Sequence, residues 1–261
     1  MSTRMTEEDW VHTLTVFRAC LPRRGRKGAD DKLFLEALHF FAVENVRWRA
    51  LPERFGHWNS VWKRFERLSK AGVFEAFFDA LASLSPTAHL VQMFDSTIVR
   101  AHVSAAGATP SGRKARHSGG LVGASPRKIH AKADKTGNLI AFDLTGGEAS
   151  DAKHFETLLD LGPDNDPRAA IGDKGYSSKA NRAAARARGI VPVIPHKDNE
   201  QDKPAVFAKA LYKARARIEQ AFGRLKRFKR IALRCEKTER NIRSIISFAA
   251  GLCLVKFVHT A

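Results

Sequence analysis

The chain has 261 residues, 44% of them hydrophobic, with a formal charge of +18 and a pI near 10.3. That length supports a full core in one or two domains, and so basic a balance points to a polyanion, most simply nucleic acid. Cys20, Cys235 and Cys253 show no CxxC or CxxH spacing, which argues against a structural zinc site or a disulfide framework and leaves the reduced thiols of a cytosolic protein. The start, MSTRMTEEDW, has no apolar signal core, and the longest apolar run, IISFAAGLCLV at 245–255, is shorter than the ~20 residues a spanning helix needs. A soluble protein with no membrane contact is expected.

The charge is unevenly spread. Residues 1–88 hold 14 Lys/Arg against 11 Asp/Glu, and residues 89–261 hold 31 against 16. The electrostatic grip therefore lies in the second part. The first part, 1–88, reads as a small all-α domain. TEEDWVHTLTVFRACL has a Thr cap and acids in its first turn. PRRGRKGAD is a basic linker, and DDKLFLEALHFFAVEN repeats apolar residues at helical spacing. LPERFGHWNSVWKRFERLSKAGVFEAFFDALASL gives two more helices, broken near Gly72. All four tryptophans (Trp10, Trp48, Trp58, Trp62) lie in this part, where aromatic bulk can fill the core of a small helical domain.

From residue 89 the pattern changes. HLVQMFDSTIV is a strand, and residues 104–128, rich in Gly, Ser, Ala, Arg and Lys, form a loop. KIHAKADKTGNLIAFDLT reads as a hairpin, SDAKHFETLLDLG as a helix with a Ser cap and a closing Gly, and RAAIGDKGY as a strand entering a Gly turn. SSKANRAAARARG is a Ser-capped helix ending at Gly189, and IVPVIP is a last strand. Lys209 to about Phe257 reads as helical, broken near Arg230–Arg234. This order predicts a mixed α/β sheet flanked by helices over 89–261.

Three acids stand out. Asp95 lies inside an apolar strand, where a charge is costly without compensation. Asp173 ends a strand at a turn, a common place for function in α/β sheets. Glu219 is the one acid in YKARARIEQAFGRLKRFKRI, 212–231. At 100° per residue, Tyr212, Arg215, Glu219 and Lys226 share a helical stripe about 60° wide. Three carboxylates in a basic protein suit metal-assisted phosphoryl transfer, in which two Mg²⁺ ions about 4 Å apart activate a nucleophile and stabilise a leaving oxygen. Each acid also admits a local reading: a hydrogen-bonded strand Asp, a turn Asp before Lys-Gly, and a Glu219–Arg215 pair one helical turn apart. His130 reads as structural, and no Ser-His-Asp pairing or GK[ST] phosphate loop is present.

The spacing Tyr212-x2-Arg215-x3-Glu219-x6-Lys226 resembles the Y-x2-R-x3-E-x6-K signature of bacterial insertion-sequence DDE transposases, and the insertion-sequence-five group in particular. FDSTIVRAH, TGGEASDAKHFETLLD, DKGYSSKANR and RWRALPERFGHWNSVWKRF are similar to that group as well, so the resemblance covers nearly the whole chain. It implies a ribonuclease-H-like core over 89–261, with Asp95 on the first strand, Asp173 at the end of the neighbouring fourth, and Glu219 on the helix after the fifth. It implies that these three acids are catalytic and bind Mg²⁺, with Mn²⁺ as a substitute. Tyr212, Arg215 and Lys226 would position DNA and the Glu.

The implied partners are the element's ends and target DNA, bound by a homodimer in a cytoplasmic, nucleoid-associated protein. A transposase must recognise its own ends. Residues 54–70 would therefore be the second half of a helix-turn-helix, capped by Asn59 or Ser60, with Lys63, Arg64, Arg67 and Lys70 facing DNA. An amphipathic core helix with a solvated basic side is the plain alternative. The stretch HSGGLVGASPRKIH, 117–130, is longer between Gly120 and Lys128 than the group's pattern. A related nuclease or resolvase without strand transfer, and an inactive DNA-binding derivative, are the competing functions.

Overall fold

The computed structural model describes residues 3–23, 30–102, 126–163, 166–198, 200, 203 and 207–258. Most of the basic linker at 22–28 and of the loop at 104–128, His117 included, lies outside the described residues. In chain order the elements are α1 (Glu7–Ala19), α2 (Asp31–Glu44), short 3-10 turns at Trp48–Ala50 and Glu53–Phe55, α3 (Trp58–Lys70), α4 (Val73–Ala82), β1 (Val91–Ala101), β2 (Arg127–Ala133), β3 (Leu139–Gly146) and α5 (Asp151–Asp160). They continue with β4 (Ala169–Ile171), a 3-10 turn at Lys174–Tyr176, α6 (Lys179–Ala187), β5 (Val191–Val193), α7 (Lys209–Tyr212), a 3-10 turn at Lys213–Arg215, α8 (Ala216–Lys226), α9 (Lys229–Ala232), β6 (Leu233–Arg234) and α10 (Glu239–Val258).

Two compact units emerge, one of Met1–Leu81, Val99–Pro126 and Arg224–Ala261, the other of Ala82–Ile98 and Arg127–Gly223. The sequence places its single boundary between 88 and 89; contacts group the C-terminal helices with the N-terminal ones.

The first unit is helical. Thr6 opens α1 with a capping box, its hydroxyl accepting from Asp9 N while the Asp9 carboxylate accepts from Thr6 N. Asp30 caps α2, which ends on Asn45 at φ 56°. Gly72, at φ 69°, breaks the chain between α3 and α4 where the sequence places the break. The expected caps of α3 are corrected: His57 is the capping residue, without a side-chain bond, and Asn59 and Ser60 lie within the first turn.

The core is built from Phe17, Phe34, Phe41, Phe65, Phe74, Phe77 and Phe248 rather than from the tryptophans, of which only Trp10 is buried. Trp48 is half-buried and stacks on Phe41 with ring centroids 3.7 Å apart. The C-terminal helical stretch breaks near Arg230–Arg234, where the sequence places the break, because Leu233 and Arg234 pair in parallel with Arg100 and Ala101 and must be extended to do so.

The second unit holds the mixed sheet, in the order β3-β2-β1-β4-β5. β2 and β3 form the antiparallel hairpin, turned at Asp134, whose Oδ1 accepts from the backbone of Thr136 and Asn138. β1, β4 and β5 run parallel. The flanking helices follow the sequence reading, but α5 is entered at Ser150 without a side-chain cap bond. Ser178 does cap α6, accepting from Asn181 N.

Phe94 of β1, Phe155, Leu158 and Leu159 of α5, Tyr176, Ala185 of α6 and Ile190 form one buried cluster. Phe94 and Phe155 lie 5.0 Å apart between ring centroids. Phe94→Ala is expected to destabilise the protein by about 3–5 kcal/mol, the cost of emptying a buried aromatic site, as read from the shift in a urea unfolding midpoint.

Candidate active site

Strand register brings the first two acids together. Met93 pairs with Ile171 in the parallel ladder of β1 and β4, and Asp95 and Asp173 each stand two residues beyond that pair. Both carboxylates therefore lie just beyond the C-terminal end of the β1–β4 ladder, the side on which α/β sheets place ligands. Asp173 caps the 3-10 turn that follows, its Oδ1 accepting from Gly175 N at 2.8 Å. A Cβ at Gly175 would come within 2.8 Å of that oxygen, so any larger residue there would displace the Asp173 carboxylate.

Glu219 comes from the first turn of α8. Arg215 collects it with the other two. Its Nη1 donates to Glu219 Oε1 at 2.6 Å, its Nη2 donates to Asp95 Oδ2 at 3.1 Å, and Nη2 lies 3.9 Å from Asp173 Oδ2. The local Glu219–Arg215 pair and the three-acid cluster are thus the same object. Exposure rises from Asp95 (13%) through Arg215 (20%) and Asp173 (36%) to Glu219 (55%), so the cluster opens to solvent on its helix side.

Burial raises the Asp95 carboxyl above its ordinary range, against the pull of Arg215 and of the Ser96 N–H, which donates to Oδ1 at 2.8 Å. Burial also works to lower Arg215, but Asp95, Glu219 and Asp173 outweigh it and hold the guanidinium protonated. Carboxylate oxygens are the donors a hard divalent ion takes, so the residues fit Mg²⁺ in kind. Among the described residues, however, no group of three or more His, Cys, Asp or Glu side chains is disposed to hold a metal ion. The acids are gathered around a guanidinium instead.

The other sequence candidates lie along the same segment or on α3. The 3-10 turn at Lys213–Arg215 winds about 20° more per residue than an α-helix, which eclipses Tyr212 with Arg215, and Glu219 and Lys226 lie two turns apart on α8. Arg215 and Glu219 keep their one-turn spacing across it. Tyr212 lies before the turn, its ring edge-on to Phe207 at 5.3 Å. Lys226 ends α8 and belongs to the first unit.

On α3, Lys63 and Arg67 are exposed. Arg64 is committed within its own unit: it pairs with Asp31, donates to Asp30 O at 3.0 Å and lies over the Phe34 ring. His102 donates its backbone N–H to Arg234 O at 2.9 Å, extending the β1–β6 pairing.

Two residues beside the acids escaped the sequence reading. Tyr176 is fully buried, and its hydroxyl has no hydrogen-bond partner among the described residues. Burial raises its pKa well above the ordinary value, with Asp151, Asp95 and Asp173 adding to the rise. Asp151, the first residue of α5, has Oδ2 3.3 Å from where a Gly175 side chain would begin, the same point that Asp173 Oδ1 approaches. Its Oδ1 faces Lys128 Nζ and His130 Nδ1, each at 3.3 Å. In the sequence Asp151 reads only as a helix-start acid, and Tyr176 only as part of a turn.

His130 is fully buried, bonded through Nε2 to Thr145 Oγ1 at 2.8 Å and stacked 4.4 Å from the His154 ring. His154 in turn reaches Asp143 Oδ2 at 2.8 Å. Burial first, then His154 and Lys128, lower the His130 pKa to about 4 against the opposing pull of Asp151 and Asp143.

A family model described as the transposase DDE domain matches residues 86–254, and one described as "Putative transposase of IS4/5 family" matches residues 5–78. The chain is 42% identical over 87 residues to an uncharacterized protein, y4sN, of Sinorhizobium fredii, covering 33% of this chain and 68% of that protein. It is 31% identical over 119 residues to the "Putative transposase for insertion sequence element IS402" of Burkholderia cepacia, covering 42% of this chain and 54% of that one. To the corresponding IS6501 protein of Brucella ovis it is 31% identical over 122 residues, covering 42% and 84%. Among solved structures, a Mos1 transposase paired-end complex matches with 9% identity and a TM-score of 0.27, over 77% of this chain and 80% of that one.

The His130 cluster gives a pH test. The folded pKa of His130, about 4, lies below its unfolded value of 6.5. The unfolded chain therefore binds the extra proton first, and stability falls as pH drops from 6.5 towards 4. Chemical denaturation at pH 7.5 and pH 4.5 should show His130→Gln losing less stability than the wild type, by up to about 3 kcal/mol.

Proposed function

The chain belongs to the transposase DDE-domain family, and on that premise we propose that it cuts DNA at the ends of an insertion sequence and joins the freed ends to target DNA through Asp95, Asp173 and Glu219. One observation carries the reading: three acids from β1, the turn after β4 and α8 converge on a single cation, the guanidinium of Arg215. Asp95, Asp173 and Glu219 would hold Mg²⁺, or Mn²⁺ in its place. When bound there, two such ions supply nucleophile activation and stabilisation of the leaving oxygen.

The protein's own part is positional. The β1–β4 register fixes Asp95 and Asp173 side by side, and the buried Phe94–Phe155–Tyr176 cluster braces the strand and the turn that carry them. Glu219, more exposed and on a separate helix, closes the set.

The excess of basic residues after residue 88 provides the grip on the DNA backbone, since phosphate contacts hold a protein on DNA without reading sequence. Tyr212, just before the 3-10 turn, and Lys226, at the end of the Glu219 helix, would contact DNA there, as would Lys63 and Arg67 on the exposed side of α3 in the helical 1–88 region. Arg64, paired with Asp31, serves the fold. Cutting and joining at two ends calls for two copies, so the DNA complex would be a homodimer in the nucleoid. Among the described residues no helix is long and apolar enough to cross a membrane.

The test is cleavage and joining of a labelled duplex carrying the element's own end, with Mg²⁺, with EDTA and with Asp173→Asn. Joined product that requires both the ion and Asp173 is the expected result, with the variant down at least about a hundredfold. Metal-dependent cutting without joining would make the protein a nuclease, and tight binding without chemistry an inactive DNA-binding derivative.

A further inference from the structure

Arg215 differs from the buried Arg230 in what it touches. Arg230, for comparison, donates to the Glu236 carboxylate at 2.7 Å, to Asn45 Oδ1 at 3.2 Å and to Val46 O at 2.9 Å, and its guanidinium lies over the Phe41 ring. Those partners are mixed and include the backbone, as befits a fixed structural side chain. Among the described residues the ion-pair partners of Arg215 are three carboxylates, Asp95, Asp173 and Glu219. Its Nε is buried and has no hydrogen-bond partner among the described residues, so the guanidinium is held by charge through its two terminal nitrogens and not by a complete set of donors.

Three acids around one monovalent cation is an underneutralised set. Pushed together without a cation, the carboxylates repel; a divalent ion offers more charge in less space. Arg215 also stands on the 3-10 turn at Lys213–Arg215, between two helices, where a small change in winding carries a side chain away from a neighbouring strand. Glu219 has Arg215 as its hydrogen-bond partner, so what holds this exposed acid beside the other two is the same guanidinium.

We infer that Arg215 is the placeholder cation of the metal-free site: a positioning residue that keeps Asp95, Asp173 and Glu219 gathered before divalent ions enter, and that gives up its carboxylates to them. The inference rests on the proposed role of the three acids in holding divalent ions. Arg215 and the ion compete for the same oxygens. Once displaced, the guanidinium is free to pair with a phosphate, which couples metal entry to the grip on DNA.

The experiment counts free Mn²⁺ by electron paramagnetic resonance in titrations of the full chain without DNA, for the wild type, Asp95→Asn, Arg215→Gln and Arg215→Lys. Thermal unfolding in EDTA and in Mn²⁺ is followed in parallel. The placeholder role predicts Asp95-dependent Mn²⁺ binding in the wild type, tightened about fivefold in Arg215→Gln by loss of the competing charge, with Arg215→Lys in between. It also predicts that Arg215→Gln melts below the wild type in EDTA and regains more from Mn²⁺ than the wild type does. An arginine that merely supports the fold would lower the melting temperature and weaken Mn²⁺ binding together. Wild-type binding that Arg215→Gln leaves unchanged or weakens overturns the inference while the metal reading stands. Absence of Asp95-dependent binding in every form overturns both.

Discussion

A guanidinium surrounded by three carboxylates is the interaction on which the site depends. Asp95, Asp173 and Glu219 are 78 and 46 residues apart in sequence, and like charges so gathered repel unless a cation lies between them. Arg215 supplies that cation from a position one helical turn before Glu219, so the element that brings the third acid brings the counter-charge with it. The pairing with Asp95 is the consequential one. Asp95 is the most buried of the three acids, and desolvation already works against its charge.

The sheet makes this geometry repeatable. Parallel pairing of β1 with β4 fixes the two aspartates by register, and a slip of one residue would turn one of them to the opposite face. Beneath them the chain invests in bulk: Phe94 from β1, Phe155 from α5 and Tyr176 from the turn carrying Asp173 pack as one cluster. Asp151 ties the start of α5 to Lys128 and His130 on β2 while its other oxygen borders Gly175. A half-buried polar layer of histidines, lysine and acids thus stands beside the apolar one, and its fully buried, neutral His130 is the part most sensitive to acid.

The helical unit solves a different problem. It buries arginines, Arg230 and Arg234, where a simpler core would use leucine, and it satisfies Arg230 with Glu236, Asn45, Val46 and the face of Phe41. Such charges are tolerated only when so fully partnered. The same logic withdraws Arg64 from the basic face of α3: once paired with Asp31 and laid over Phe34, it is part of the packing, and Lys63 and Arg67 remain outside. A basic residue's position on a helical wheel does not reveal which side chains have found a partner.

The sequence by itself determined the element types, the α/β order after residue 88, the Gly72 and Gly189 breaks and the three acids worth watching, because these follow from local propensity, periodicity and a spaced signature. It was silent where partners come from far along the chain. The phenylalanine core replacing the expected tryptophan one, and the β1–β6 pairing that makes Leu233 and Arg234 a strand at the C-terminal break, both depend on long-range contacts. Asp151 and Tyr176 look like a helix-start acid and a turn aromatic until α5 is laid beside the Asp173 turn. Tertiary structure alone decided that Arg215 reaches across to Asp95, since an electrostatic contact spanning 120 residues leaves no period or spacing in the sequence to announce it.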